Sequence, residues 1–396
     1  MMMKIGIIGK PNVGKTTLFN ALTLSSEKTG NYPFTTIEGT EGVTYVRIKC
    51  VCRELNVVDN PNNSFCRDGW RFIPIKIIDT AGLVPDAWKG RGLGNMFLSK
   101  IMETSGLIHV IDISGSTDME GNPIEPGSHD PLEDIHFIKR ELHMWIKEII
   151  EKHVSDIEKM VKFNKVPLNE ALFSKLSGLS ITKEHIEVVI KRLNFNSIRD
   201  IHNNLDIFIE TILSVSKPII YGGNKIDIPV SKKNLARIRN MGIDIFPISA
   251  LSEYLLRTLD RDGKIDYIPG DSHFKILDTK DLTPREKRAL EYIDKKIFRV
   301  WGGTGVQKII DHLVFKKLDY IAVYPVKDIH KLTDGEGRVL PDVYLIRKGS
   351  TLRDLAGLIH TELGERIKYG FVYGVNTRVS PDYLLKHRDI VSIQIY

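Results

Sequence analysis

Gly9-Lys10-Pro11-Asn12-Val13-Gly14-Lys15-Thr16 sets two glycines around four residues and follows the second with a lysine and a hydroxyl. Such a loop turns its backbone N–H groups inward on phosphate oxygens, and the glycines permit the turn. Lys15 would reach the β- and γ-phosphates of a nucleotide, and Thr16 would ligate magnesium. The nucleotide-contacting set read from this stretch is Gly9, Pro11, Asn12, Val13, Gly14, Lys15, Thr16 and Thr17. The flanks agree with it. Lys4 to Ile8 is a short apolar run suited to a buried strand, and Thr17 to Leu22 reads as a helix whose N-terminal partial charge favours phosphate.

Asp79-Thr80-Ala81-Gly82 closes a second strand, Phe72 to Ile78. Asp79 is expected to hold magnesium directly or through water, and the Gly82 N–H to sense the γ-phosphate. Between the two motifs, residues 28–42 are too rich in glycine and threonine for a helix. Thr36, or less well Thr35, would add the second hydroxyl to magnesium, and only one of them, since one coordination position is open. Lys15, Thr36 and Gly82 form the expected catalytic set, and Thr16, Thr36 and Asp79 the metal set. Gly90, Gly92 and Gly94 make a further candidate switch loop.

Asn224-Lys225-Ile226-Asp227 ends a later strand. Asp227 would accept hydrogen bonds from guanine N1–H and the 2-amino group, a donor pair that adenine lacks. Asn224 would read the other base edge or brace the phosphate loop. Ser249-Ala250, after Ile243 to Ile248, would offer the Ala250 N–H to guanine O6. Five motifs in order, each beside a strand, point to a GTP- and GDP-binding hydrolase with magnesium as cofactor.

These residues need a parallel α/β scaffold, and the chain is long enough for it. Its 396 residues allow two or three domains, with 42% hydrophobic and 27% charged residues. No apolar run approaches the ~18 residues of a membrane span, and the N-terminus enters a strand at once, so no membrane association and a cytoplasmic location are expected. The net charge of +6 permits an anionic partner. The fold expected is a G domain over residues 1–116 and 217–317, an inserted helical arm over 117–216 and a small α+β domain over 318–396. In the arm, Ile135, Ile138, Leu142, Trp145 and Ile149 form one apolar stripe and Ile198, Ile201, Leu205, Phe208 and Ile212 another. They predict a coiled-coil hairpin with a smaller helical element near Leu168 to Leu193. His109, mid-strand, reads as a packed core histidine. Cys50, Cys52 and Cys66 lack a nearby histidine as fourth zinc ligand, so they read as reduced thiols on a small insertion.

The assembled motifs resemble the Obg-like GTPases and, among them, the YchF subfamily. The carrying stretches are Gly9 to Thr16, Asn31-Tyr32-Pro33-Phe34-Thr35-Thr36-Ile37, Asp79 to Val84 and Gly92 to Leu98. Val339 to Tyr344 and Gly349 to Leu352 resemble a TGS domain, a ubiquitin-like β-grasp module. The resemblance implies nucleoside triphosphate hydrolysis, with association to ribosome or RNA. It also places Leu83 where small GTPases carry the glutamine that orients water, which implies slow intrinsic hydrolysis. Many YchF members end the base motif in glutamate and favour ATP, whereas this chain has Asp227; an ATPase on the same scaffold is the alternative. A nucleotide-gated protein- or RNA-binding module with a signalling role apart from ribosomes is another. Asn12 occupies the position used by potassium-activated relatives, so potassium is a further expected cofactor. Nothing in the sequence assigns an oligomeric state.

Overall fold

The computed structural model describes residues 2–24, 41–80, 82–83, 85, 87–89, 100–375 and 377–396. Thr35, Thr36 and the Gly90 to Gly94 loop lie outside them. Two compact units divide the chain: one holds the phosphate loop and residues 76–309, the other residues 43–75 with 310–396.

The first unit is built on parallel strands in the order β4-β1-β5-β6-β7. These are β1 (Lys4–Ile8), the last four residues of β4 (Trp70–Asp79), β5 (Gly106–Asp112), β6 (Ile219–Asn224) and β7 (Ile245–Pro247). Ile5, Ile7, Ile108, Val110 and Ile111 are all fully buried. Both faces of a parallel sheet are covered, which is why these strands read as continuous apolar runs. Pairing register brings the motif residues to one edge: Asp79 lies opposite Ile7, and Asp112 opposite Asn224. Helix α1 (Lys15–Thr23) follows β1 directly. His109 is fully buried in β5, as expected, and burial lowers its imidazole to about 3, so the ring is neutral.

The insertion is helical, as expected, and the smaller element expected near Leu168 to Leu193 is present; it joins the long helices in one bundle. Its members are α2 (Pro131–Lys162), α3 (Leu168–Leu176), α4 (Lys183–Leu193), α5 (Ile198–Asn203) and α6 (Leu205–Ser216). Asp130 caps α2, its side chain accepting from the Leu132 N–H at 2.9 Å, and Pro131 supplies the first helical position. The middle helices carry apolar faces of their own. Leu172, Leu176, Ile186 and Val189 are buried in the same core as Ile138, Leu142, Phe208 and Ile212, so the two long stripes never meet alone. The second stripe is also interrupted between α5 and α6 at Asn204. This core is continuous with Ile8, Leu83, Ile101 and Leu107, which makes the insertion part of the same unit as the phosphate loop. After α7 (Ser231–Asn240) and α8 (Ala250–Arg261), a capping box at Thr283 opens α9 (Pro284–Tyr292).

In the second unit, β2 (Glu41–Lys49) neighbours β4, and β3 (Phe65–Arg67) forms an antiparallel hairpin with the start of β4. Two-residue strands β8 (Ile265–Asp266) and β9 (Lys275–Ile276) belong to the first unit. The C-terminal segment forms a separate sheet in the order β11-β10-β13-β12, from β10 (Tyr320–Val326), β11 (Tyr344–Arg347), β12 (Ile367–Val372) and β13 (Ile390–Ile395). Helix α10 (Leu352–Ile359) packs Leu352 and Leu355 on Val323, Ile367 and Val391.

Candidate nucleotide-binding site

The phosphate loop connects β1 to α1, and side chains from distant motifs hold it. Asn224 Nδ2 donates to the Val13 carbonyl at 2.8 Å, while Asn224 Oδ1 accepts from the Ala250 N–H at 3.0 Å. Asn224 therefore braces the loop, one of its two expected roles, and the Ala250 amide, which the sequence reading aimed at guanine O6, is engaged by Asn224 in this conformation. Gly14 has φ +100, and an added Cβ would sit 2.3 Å from Asn224 Nδ2. Only glycine fits there. The Val13 side chain is fully buried, leaving its backbone for ligand; Pro11 and Thr17 are half-buried, and Asn12 and Thr16 are exposed.

Lys15 Nζ donates back to the Lys10 carbonyl at 2.7 Å. Burial lowers its ammonium to about 8, against the opposing pull of Asp79. Thr16 Oγ1 donates to Asp79 Oδ2 at 2.9 Å. Burial pushes the Asp79 carboxyl up, with the Thr16 hydroxyl and Lys15 countering it. Its other oxygen, Oδ1, is buried without a hydrogen-bond partner. A hydroxyl beside a desolvated, unpartnered carboxylate oxygen is a donor set that fits a hard divalent cation. Thr16 and Asp79 would hold magnesium, which offsets phosphate charge when bound. Lys15 would then supply a positive charge, and the N-terminus of α1 would orient the phosphates. The Leu83 N–H donates to the Gly9 carbonyl at 3.2 Å and its side chain is buried at 2% exposure, so it is a packing residue that cannot orient water. An added Cβ on Gly82 would meet Pro11 at 2.8 Å, so Gly82 lies against the phosphate loop.

The base motif ends in a carboxylate open to ligand. Asp227 is half-buried, and its side chain enters no hydrogen bond or ion pair among the described residues; only its backbone carbonyl is used, accepting from the Tyr292 hydroxyl at 3.1 Å. Lys225 instead turns inward, donating to Asp112 Oδ2 at 2.8 Å and to Ser116 Oγ at 3.1 Å. Burial would raise the Asp112 carboxyl, but hydrogen bonds from Lys225 and Ser114 bring it below the usual carboxylate range. Ser249 donates its N–H to the Thr304 carbonyl at 2.8 Å and its hydroxyl to Ser252 Oγ at 2.8 Å.

A second layer escaped the sequence reading. The segment between β5 and α2 lies on the phosphate loop: Lys10 Nζ donates to the Thr117 carbonyl and pairs with buried Asp134, each at 2.9 Å. His129 Nε2 lies 2.7 Å from the same carboxylate, and Asn12 Nδ2 donates to the Gly121 carbonyl at 2.9 Å. Only Asp112, an acid closing an apolar strand, gave a local signal of this layer.

Family models match the chain over the same parts: a "50S ribosome-binding GTPase" model over residues 4–155, an "Obg-like GTPase YGR210-like, G4 motif-containing domain" over 222–328, and a "TGS domain" over 332–395. "Uncharacterized GTP-binding protein MJ1332" of Methanocaldococcus jannaschii is 43% identical over 99% of both chains. "Ribosome-binding ATPase YchF" of Haemophilus ducreyi is 31% identical over 68% of this chain and 70% of its own. The chain belongs to the YchF family of Obg-like GTPases. Among solved structures, a GTP-binding protein from Pyrococcus horikoshii OT3 is similar with a TM-score of 0.79 and 35% identity over all of both chains. As a member of the YchF family, the chain is a GTP-binding P-loop enzyme of nucleoside triphosphate hydrolysis, with a G domain, a helical region and a C-terminal TGS domain. Among the described residues no helix is long and apolar enough to cross a membrane.

Proposed function

We propose that this chain is a guanine-nucleotide switch with slow intrinsic hydrolysis, whose nucleotide state governs attachment to the ribosome or to RNA. The observation that carries the guanine reading is Asp227, an unpaired carboxylate three residues beyond the asparagine that braces the phosphate loop. A carboxylate left unpaired at a half-buried position is poised for a ligand with two adjacent N–H donors, as guanine has. Calorimetric titration of the nucleotide-free chain with GTP and ATP analogues in magnesium tests it. GTP is expected to bind more tightly, and Asp227→Ala to remove most of that preference, a loss of about 1.5–3 kcal/mol for a charged hydrogen-bonded pair. Equal or tighter ATP binding overturns the reading in favour of the ATPase alternative.

Slow hydrolysis is supported by Leu83 in the place of a water-orienting side chain. Attachment to ribosome or RNA is supported by the names of the YchF relatives and by a cavity of about 1120 Å³ in the C-terminal sheet, lined in part by Lys327, His330, Lys331, Phe371 and Tyr373. Basic and aromatic side chains lining one cavity suit phosphate and splayed bases. Asp328 and Asp334 also line it, but Asp328 accepts from the amides of His330 and Lys331, and Asp334 from Arg338. Potassium rests on Asn12 alone, whose amide nitrogen donates to the Gly121 carbonyl and whose amide oxygen would be the potassium donor.

A further inference from the structure

Cys50, Cys52, Asp59 and Cys66 each offer one ligand atom, all four within 4.8 Å of one another. We propose that they form a structural zinc site. Cys52 Sγ and Cys66 Sγ are 3.8 Å apart. A disulfide needs about 2.05 Å, whereas two thiolates on one tetrahedral zinc at 2.3 Å are separated by about 3.8 Å. Cys50 Sγ lies 3.2 Å from Asp59 Oδ2. A contraction of about 1 Å at the widest pair closes the set to tetrahedral size.

Local structure presents each ligand. Cys50 precedes the helical turn Val51–Glu54, which carries Cys52, and its N–H is held by the Gly69 carbonyl at 2.8 Å. Cys66 lies on β3, whose turn to β4 is Asp68-Gly69, both with positive φ as a two-residue hairpin turn requires. The missing fourth ligand was not a histidine but a carboxylate nine residues beyond Cys50, delivered by the chain between the turn and the hairpin.

The surroundings suit an anionic metal centre. Three thiolates and a carboxylate around zinc leave net negative charge, which a buried site must offset. Arg71, directly across the hairpin from Cys66, is fully buried and places Nη2 3.2 Å from Asp59 Oδ2. The Tyr324 hydroxyl donates to Cys50 Sγ at 3.9 Å, and Arg71 also donates to the Leu340 carbonyl at 2.6 Å. Such outer partners orient ligands and tune a site. With four protein ligands the centre is closed, hence structural: it fastens the residue 50–67 excursion and, through Arg71 and Tyr324, the C-terminal residues of the same unit.

The test uses the full chain, purified under reducing conditions after growth with added zinc. One zinc per chain is expected by elemental analysis. Replacing it with cobalt(II) should give the intense thiolate-to-cobalt charge-transfer band and the d–d bands of a tetrahedral site. The Cys52→Ser, Cys66→Ser double variant should lose both, and Asp59→Asn should weaken zinc by tenfold or more, while GTP-analogue binding stays within about twofold of the unmodified chain because the nucleotide site uses none of these residues. If the serine variant does not fold, the cobalt spectrum of the unmodified chain decides. A chain that binds nucleotide yet holds no zinc and gives no cobalt–thiolate band overturns the proposal. So does a metal-free chain two hydrogens lighter, with Cys52 and Cys66 joined as a disulfide.

Discussion

Lys15 is where burial and charge compete most visibly. Its ammonium, lowered to about 8 by desolvation, waits for an anion. For the free chain the cost of burying that charge is fully present below pH 8 and is relieved between about 8 and 10.5, as the folded state sheds the proton before the unfolded one does. Phosphate favours the charged form, so binding above pH 8 takes up a proton. Nucleotide affinity should therefore fall as pH rises through 8, by at most tenfold per pH unit for a single linked proton. Titrations in buffers of differing ionisation enthalpy check the uptake. Lys217, also lowered to about 8, donates to the carbonyls of Met102 and Thr104 away from the ligand and should not contribute. Leu83 gives a second prediction at this scale. Because it packs with Ile8, Ile101 and Met102, Leu83→Gln should not accelerate hydrolysis. It should instead cost about 1–3 kcal/mol in urea unfolding, as a buried amide without partners does.

The segment joining β5 to α2 acts as a backing for the phosphate loop. Gly121 has φ +90, and a Cβ there would come 2.7 Å from Pro11 Cβ and 2.8 Å from its carbonyl oxygen. Gly121→Ala must strain the backbone by about 1–2 kcal/mol and press on Pro11. A loss of nucleotide affinity of about tenfold is expected from it, since that cost is borne most where the loop must be held in its binding shape. Calorimetry of the variant, with circular dichroism to verify the fold, measures this. The helical insertion follows a related logic: its core includes sheet-layer residues, so its helices are set by what they share with Ile8 and Leu107 as much as by their own stripes.

Over the whole molecule, the proposed function would divide nucleotide chemistry and macromolecular attachment between different units. The candidate nucleotide-binding residues fall in the first; the Lys327 and Lys331 cavity falls in the second. Exchanging both lysines for glutamate should lower co-sedimentation with ribosomes several-fold, steepest at low salt, and leave GTP hydrolysis by the free chain unchanged. Bulk charge would not have pointed there: residues 319–396 carry 11 Lys and Arg against 10 Asp and Glu.

Much of the site was legible in order along the chain. The phosphate loop, Asp79-Thr80-Ala81-Gly82 and Asn224 to Asp227 each demand particular backbone turns and functional groups within a few residues, so their identities and spacing were enough to name the chemistry. The parallel sheet was legible for the same reason, since strands buried on both faces leave uninterrupted apolar runs. Tertiary structure alone decided that Asn224 spends both ends of its amide on Val13 and Ala250, that the two helical stripes join a five-helix core, and that Asp59 meets three cysteines. Each of these joins side chains brought together by strand order, hairpin register or a shared core, and periodicity carries no information about partners so far along the chain.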